Sequence, residues 1–243
     1  MNHLILLHGA LGSGEELSLL EKHIKNPGIR VHPFTFNGHG KKGLNNRFGI
    51  DGFCDELLEF ISKEKIEAPF VFGYSMGGYV ALNAALKARG LFSGIITLGT
   101  KFKWTREFTS KESNKLNPDF LLEKAPDFVA LLLKKHGPGW TNLLSLTANM
   151  MLGLQNSYPG FIASLARIDI PVCIGRGDKD RMVDKEECLL VQQTIEGASC
   201  FVLPDTSHGF EGINHLALAE LVVEFIEKHS STEAQANGSH RVL

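Results

Sequence analysis

The sequence predicts an α/β fold, in which a parallel sheet is covered by helices on both faces. Short, continuously apolar segments alternate with segments of helical spacing along most of the chain, which is typical of strands buried on both sides. A serine between two glycines stands where one apolar run ends and an alanine-rich helical pattern begins. One long stretch, residues 101–169, has helical patterns and no convincing strand, which indicates a helical insertion between two strands.

Six short apolar runs predict the strands, because parallel strands that are covered on both faces are apolar throughout their length. The first run ends at Gly9, a residue that favours a turn. The predicted strands are residues 4–8, 30–36, 69–72, 94–98, 171–175 and 199–203.

Apolar residues that recur at helical spacing predict the helices between these strands. In the second helix, for example, Phe53, Leu57 and Ile61 lie on one face. Asp184, with Glu187 three residues later, is the predicted N-cap of the helix that follows it. The predicted helices of the core are residues 15–24, 52–63, 78–86, 185–190 and 212–229.

The strandless stretch divides the chain into a predicted core, residues 1–100 and 170–229, and a cap, residues 101–169. Helical patterns in the cap cover residues 119–122, 125–135 and 140–154. The stretch is far longer than a connection between strands needs, which favours a cap over a pair of long crossover helices. The cap has nine Lys and Arg residues and six Asp and Glu residues, and this small excess of positive charge mildly favours anionic substrates. Residues 230–243 have few bulky apolar side chains and are predicted to be disordered.

Composition excludes several classes of protein. A net charge of −2 gives no indication of nucleic-acid binding or of attraction to an anionic membrane surface. No apolar run is long enough to span a bilayer, and no signal peptide pattern precedes the first strand. Scattered cysteines without a C-x-x-C pair predict reduced thiols in a cytoplasmic protein: Cys54, Cys173, Cys188 and Cys200.

The most informative motif is Gly73-Tyr74-Ser75-Met76-Gly77, a G-x-S-x-G pattern between a predicted strand and a predicted helix. In this context the serine is held in a strained turn at the carboxyl end of the strand, with its hydroxyl exposed. Glycine is expected at both flanking positions, because a Cβ there would clash with the neighbouring strand and helix. The pattern predicts that Ser75 is a nucleophile; an ordinary turn serine is the alternative.

A serine nucleophile needs a base, and His208 is the predicted one because it directly follows the last strand, at the edge of the sheet where Ser75 lies. His39 and His215 are the alternatives, in a loop and a helix that favour packing or surface roles. The acid that orients the base is predicted in the loop after the fifth strand. Three aspartates compete there: Asp180 is preferred, Asp178, a turn residue, is its main rival, and Asp184 is the predicted helix cap.

Attack on a carbonyl also needs two hydrogen-bond donors for the oxyanion. The amide of Met76 is the first predicted donor, and the amide of Ala10 or Leu11, in the turn after the first strand, is the second. That turn is rich in glycine, but its spacing does not match a nucleotide-binding loop and it lacks the P-loop lysine.

With these motifs in place, the chain resembles the α/β-hydrolase fold family over nearly its whole length. The resemblance rests on the following segments: His8-Gly9, Asn37-Gly38-His39-Gly40, Gly73-Tyr74-Ser75-Met76-Gly77-Gly78, Gly177-Asp178-Lys179-Asp180-Arg181-Met182-Val183 and Ser207-His208-Gly209-Phe210. The order serine, aspartate, histidine is the family's order, and its caps occur between nucleophile and acid. Because the chain begins at what resembles the family's third strand, the resemblance implies a six-stranded, all-parallel sheet of order 2-1-3-4-5-6.

Among family members the chain looks most like single-domain carboxylesterases. The resemblance therefore implies a serine hydrolase that cleaves a small-molecule carboxylic ester or thioester through an acyl-enzyme, without metal or organic cofactor. A triad-dependent lyase or C–C bond hydrolase is the first alternative, and a non-catalytic ligand receptor is the second. We expect no nucleic-acid or membrane partner, and a monomer or weak homodimer.

Residues of the predicted cap and its entrance are expected to shape the substrate pocket. Thr100, Lys101 and Trp104 follow the fourth strand directly and leave the sheet at the edge near Ser75. Lys101 is either a partner for a substrate carboxylate or a solvated loop lysine. Met150 and Met151 lie in an apolar stretch suited to an adaptable acyl pocket, and packing of cap against core is their alternative role.

Overall fold

A computed structural model describes residues 1–238, and its centre is a six-stranded sheet in which all neighbouring strands pair in parallel. The strand order is β2-β1-β3-β4-β5-β6, which confirms the predicted order. The strands are β1 (Asn2–Leu7), β2 (Ile29–Phe34), β3 (Phe70–Tyr74), β4 (Gly94–Leu98), β5 (Val172–Gly177) and β6 (Ser199–Leu203).

Helices cover both faces of this sheet. The helices are α1 (Gly14–Glu21), α2 (Ile50–Lys63), α3 (Met76–Lys87), α4 (Arg106–Asn114), α5 (Pro118–Lys124), α6 (Pro126–His136), α7 (Trp140–Ser157), α8 (Gly160–Ser164), α9 (Lys185–Thr194) and α10 (His215–Gly238). One apolar core lies under α2, α3 and α9, and a second core lies on the opposite face under α1 and α10. Apolar burial on both faces explains why β3 and β4 are buried at every position.

Element boundaries differ from the predicted ones by a few residues. The strand β2 ends at Phe34 instead of residue 36, and it contains Pro33. Proline lacks a backbone N–H, and β2 accommodates it because it lies at the edge of the sheet. The helix α4 has no counterpart among the predicted helices, because its polar residues show little apolar periodicity. The hydroxyl of Thr105 caps this helix by accepting a hydrogen bond from the Phe108 amide.

The insertion between β4 and β5 is helical: α4 to α8 all lie there, and residues 101–169 contain no strand. Part of it forms a third apolar cluster, which the side chain of Leu11 joins from the turn after β1. The insertion therefore packs onto the edge of the sheet that carries the predicted site. Its status as a separate cap with boundaries at residues 101 and 169 stays a prediction.

The carboxyl-terminal helix α10 is described as far as Gly238. Residues 230–238 of the predicted disordered tail therefore belong to α10, and the rest of that tail, residues 239–243, lies outside the described residues. No helix in the described part of the chain is long and apolar enough to cross a membrane. All four cysteines are free thiols. Cytoplasmic location and oligomeric state stay predictions.

Candidate active site

Ser75 lies in the tight turn between β3 and α3, with backbone angles φ 50° and ψ −113°. Such a positive φ is strained for a residue with a side chain. The flanking glycines are required by sterics: a Cβ at Gly73 would lie 2.4 Å from the Gly78 nitrogen, and one at Gly77 would lie 2.5 Å from the Leu7 carbonyl oxygen. The predicted reason for these glycines, close approach of strand and helix, is confirmed.

His208 lies in the loop after β6 and reaches Ser75. Its Nε2 lies 3.3 Å from the Ser75 Oγ, within hydrogen-bonding distance. The Tyr74 hydroxyl donates a hydrogen bond to the His208 carbonyl oxygen, so the residue before the serine helps to hold the loop that carries the histidine. This role of Tyr74 is not among the predictions from the sequence.

Asp180 completes a chain of three side chains, since its Oδ2 lies 2.8 Å from the His208 Nδ1. Its other oxygen, Oδ1, accepts the amides of Met182 at 2.8 Å and Val183 at 3.1 Å. The carboxylate can only accept, so Nδ1 of His208 carries the hydrogen and Nε2 is free to accept the Ser75 proton. Burial raises the pKa of Asp180, but the hydrogen bond from His208 and the two amides outweigh it, and the pKa is lowered.

The two rival aspartates have other partners. Asp178 is exposed, and its carboxylate accepts the Thr206 amide at 2.9 Å, which links the loop after β5 to the loop after β6. Asp184 and Glu187 form a capping box at the start of α9, which confirms the predicted cap. The structure thus places Asp180, and neither of its rivals, beside His208.

The turn after β1 runs from Gly9 to Gly12, closed by a 3.1 Å hydrogen bond from the Gly12 amide to the Gly9 carbonyl. Leu11 takes a positive φ of 60° at its centre. Ala10 lines the same small cavity as Ser75 and Met76, and Leu11 lines the larger groove beside it. Both predicted second donors therefore belong to the turn that faces the serine.

Two spaces meet at Ser75. The first is an enclosed cavity of about 30 Å³, roughly the share of one water molecule in the liquid, with mostly apolar walls. The predicted pocket residues Lys101, Trp104, Met150 and Met151 line it together with Tyr79 and Leu154. The second is a groove of about 320 Å³, with Tyr74, Ser75, His208 and Phe210 in its walls and charged side chains among them.

Thr100 lies behind the serine turn. It is fully buried, and its hydroxyl donates to the Ser75 carbonyl oxygen at 3.0 Å. Gly99, immediately before it, has a φ of +64°, and a Cβ there would lie 3.4 Å from the His208 Cε1 and 3.5 Å from the Asp180 Oδ2. The segment that follows β4 therefore lies against the backbone of Ser75 and close to the side chains of His208 and Asp180.

Lys101 is buried and ion-paired, so the expectation of a solvated loop lysine is wrong. Its Nζ lies 2.7 Å from Oε1 of Glu187 and 4.3 Å from the centre of the Phe108 ring. Glu187 is fully buried, and its Oε2 also accepts the amides of Phe102 and Lys103. From its sequence context Glu187 is predicted only as half of a capping box, because nothing in the sequence brings residues 101 and 187 together.

Comparisons with known proteins agree with this architecture. The family described as "Serine aminopeptidase, S33" matches residues 2–220. The 2-succinyl-6-hydroxy-2,4-cyclohexadiene-1-carboxylate synthase of Photorhabdus laumondii is 24% identical over 92% of this chain and 84% of its own length.

Solved structures of two esterases superpose on the chain. The esterase EaEST from Exiguobacterium antarcticum has a TM-score of 0.75 at 17% identity and covers 93% of this chain and 92% of its own. A thermophilic esterase from Thermogutta terrifontis has a TM-score of 0.77 at 17% identity, covering 94% and 90%. Identities this low establish the fold alone. The family match spans most of the chain, and the chain therefore belongs to the serine aminopeptidase S33 family and has the α/β-hydrolase fold.

Proposed function

We propose that the protein is a serine hydrolase that cleaves a small-molecule carboxylic ester or thioester through an acyl-enzyme. The observation that carries the proposal is the hydrogen-bonded chain Ser75–His208–Asp180, with the serine in a strained turn beside an apolar cavity. A nucleophile, a base within reach of it and an acid that sets the tautomer of the base are the parts that acyl transfer requires.

In the first half of the reaction, Oγ of Ser75 bonds to the ester carbonyl carbon while Nε2 of His208 takes its proton. The carbonyl electron pair moves to oxygen, where the amides of Met76 and of Ala10 or Leu11 stabilise the charge. The intermediate collapses, and the leaving alcohol takes the proton from His208.

In the second half, water replaces the alcohol. His208 takes a proton from the water as its oxygen bonds to the acyl carbon. The proton then returns to Oγ of Ser75 as the acid is released. Asp180 stabilises the charged imidazole in both halves. Each of these proton transfers is carried out by the side chain of His208.

The two spaces at Ser75 favour one orientation of the substrate. The small apolar cavity suits a short acyl group such as acetyl, and longer groups require the flexible Met150 and Met151 side chains to move. The groove next to His208 suits the alcohol, because His208 must protonate this leaving group. Since the charge of Lys101 is balanced by Glu187, the cavity favours a neutral acyl group over an anionic one.

Labelling with a fluorophosphonate probe, with Ser75→Ala as the matched control, tests the nucleophile. We expect one adduct on the tryptic peptide that contains Ser75 and none on the variant. A panel of p-nitrophenyl esters from acetate to decanoate then tests the acyl cavity, and kcat/KM is expected to be highest for the short chains. Equal labelling of wild type and Ser75→Ala would contradict the proposal.

The second candidate is a lyase in which the same three side chains act as a base that removes a proton from a carbon atom of the substrate. It is favoured by the similarity to a synthase over 92% of this chain. Trapping separates the two: a hydrolase forms a covalent acyl adduct on Ser75 during turnover, visible in the intact mass after an acid quench, whereas a carbon-base reaction leaves the serine unmodified.

A further inference from the structure

His136 is the last residue of α6, and its side chain contacts two loops of the core. The Gly40 amide donates to its Nδ1 at 2.9 Å, and its Nε2 lies 2.9 Å from the Leu11 carbonyl oxygen. Gly40 lies in the loop after β2, and Leu11 lies in the turn after β1. One ring from the insertion therefore bridges two core loops.

These partners determine where the ring carries its hydrogen. A backbone amide can only donate, so Nδ1 of His136 is unprotonated, and a carbonyl can only accept, so Nε2 carries the hydrogen. Both contacts exist together only in the neutral Nε2–H tautomer. Protonation of Nδ1 would turn the contact with Gly40 into two opposed donors.

The contact with Leu11 is connected to the proposed oxyanion site through the turn. The carbonyl of Leu11 and the amide of Gly12 share one peptide plane, so fixing the carbonyl orients the amide, which donates to the Gly9 carbonyl oxygen. His8 donates to that same oxygen through Nδ1 at 2.7 Å, since its Nε2 accepts the Phe36 amide. Fixing the Gly9 carbonyl in turn orients the Ala10 amide, which points the opposite way.

We infer that His136 is a positioning residue: it holds the turn so that the Ala10 amide points at the oxyanion. The inference rests on the proposed acyl-transfer function and adds to it a link from the insertion to the reacting centre. The residue itself does not contact the substrate carbonyl. It acts through Leu11, Gly12 and Gly9, and through the apolar cluster in which the Leu11 side chain packs against the insertion.

The surroundings of His136 keep it neutral. Burial lowers its pKa and the nearby Lys135 charge lowers it further, although the hydrogen bond to Leu11 opposes them. Lys135 is itself paired with Glu16 of α1 at 2.6 Å, and the His39 ring lies 6.1 Å away, centre to centre. The His8 ring packs against that of His39, with the ring centres 4.9 Å apart. None of these groups stabilises a positive charge on His136 by a direct hydrogen bond.

Two variants separate the two contacts of the ring. In His136→Gln the side-chain amide group reaches about as far as Nε2 and can still donate to Leu11. In His136→Asn the shorter amide can replace Nδ1 toward Gly40 but does not reach Leu11. We expect His136→Gln to keep kcat within about threefold, and His136→Asn to lose roughly tenfold in kcat with little change in KM, as expected for one hydrogen bond.

The rate of fluorophosphonate labelling should fall in parallel with kcat, since phosphonylation also builds charge at the oxyanion site. Arg89→Gln is the matched control. The Arg89 side chain pairs with Asp169 at the other end of the insertion, and both partners are exposed. We expect this control to keep both kcat and the labelling rate.

Three outcomes would overturn the inference. The first is equal kcat in His136→Asn and wild type, and the second is a loss of kcat that in both variants is proportional to the fall in Tm. The third is an Nδ1–H tautomer of the His136 ring. The tautomer is read in the wild-type protein from the ¹⁵N shifts of the His136 ring, so the test stands even if a variant does not fold. A failure of the proposed function is distinguishable, because the wild-type protein itself would then not be labelled at Ser75.

Discussion

At the scale of single residues, the strained backbone of Ser75 is held by hydrogen bonds from both sides. Its amide donates to the Leu98 carbonyl at 2.8 Å, and its own carbonyl accepts the hydroxyl of Thr100. The strain costs about 1–3 kcal/mol, and packing of β3 against α3 and β4 offsets it. The arrangement keeps Oγ facing His208 before substrate arrives, which is the preorganisation that nucleophilic catalysis needs.

Ser75→Ala and His208→Ala should each reduce kcat by roughly 10³-fold or more, because either change prevents the activated serine from attacking the ester. The double variant should be little worse than either single variant, since the two groups act as a unit. Steady-state hydrolysis of a p-nitrophenyl ester measures all three. Multiplicative losses in the double variant would show that the two side chains act independently.

Asp180→Asn should reduce kcat by at least about 10²-fold, because an amide can donate to His208 and favours the wrong tautomer. Asp178→Asn is the matched control in the same loop. Its side chain contacts the Thr206 amide and not the histidine, so we expect it to keep most of the activity. The opposite pattern of losses would move the acid to Asp178.

At the scale of elements, the site depends on how closely α3 approaches β1. A Cβ at Gly77 would lie 2.5 Å from the Leu7 carbonyl oxygen, so a side chain there would require the start of α3, next to Ser75, to move away from β1. The buried Lys101–Glu187 pair adds a second link between elements. Through Glu187, the segment that follows β4 is connected to the start of α9 and hence to the loop that carries Asp180.

Gly77→Ala should therefore lower Tm and reduce kcat together, since the added methyl group pushes α3 away from β1. Gly153→Ala is its control: this glycine is exposed within α7, no atom lies within 4 Å of the added Cβ, and alanine favours the helix. We expect the control to gain about 0.5–1 kcal/mol in the free energy of unfolding. Thermal melts and the ester assay measure both effects.

At the scale of the whole molecule, two buried histidines and one half-buried histidine lie where the loops after β1 and β2 meet the insertion. They are His8, His39 and His136, and their rings pack against one another. Burial is the main cause that lowers the pKa of each, and it lowers that of His39 to about 3. The unfolded chain binds these protons near pH ~6.5, so below that pH it binds more protons than the folded protein.

The free energy of unfolding should therefore fall as the pH falls from about 6.5 toward about 3, and the contribution of these residues should be constant above that range. His39→Phe keeps a ring against Phe48 and removes one titrating group, so its stability should fall less steeply with acid. His23→Gln, at an exposed histidine, is the control and should follow wild type. Denaturant melts from pH 4 to 8 measure the slopes. Identical slopes for His39→Phe and wild type would exclude His39 from the acid response.

Much of this arrangement could be predicted from local patterns. The strained serine turn and the capping box at Asp184 depend on segments of a few residues, whereas the strand order was implied by the resemblance to the α/β-hydrolase fold family. Asp180 and His208 could be singled out because the carboxyl ends of parallel strands meet at one edge of a sheet, so loops far apart in sequence converge there. The polar helix α4 was missed because its stability comes from a cap and from contact with α7, and neither leaves an apolar period.

Local signals in the sequence predict which residues turn, which apolar runs are buried and which side chains stand at strand ends. Which distant groups pair depends on the packing of the folded protein. Lys101 and Glu187 are 86 residues apart, and His136 lies 125 residues from Leu11, whose carbonyl it contacts. No periodicity or motif encodes such pairs, because they arise from how the insertion packs on the sheet. Their chemistry follows from burial, which leaves each ionic or polar group with only the partners that packing supplies.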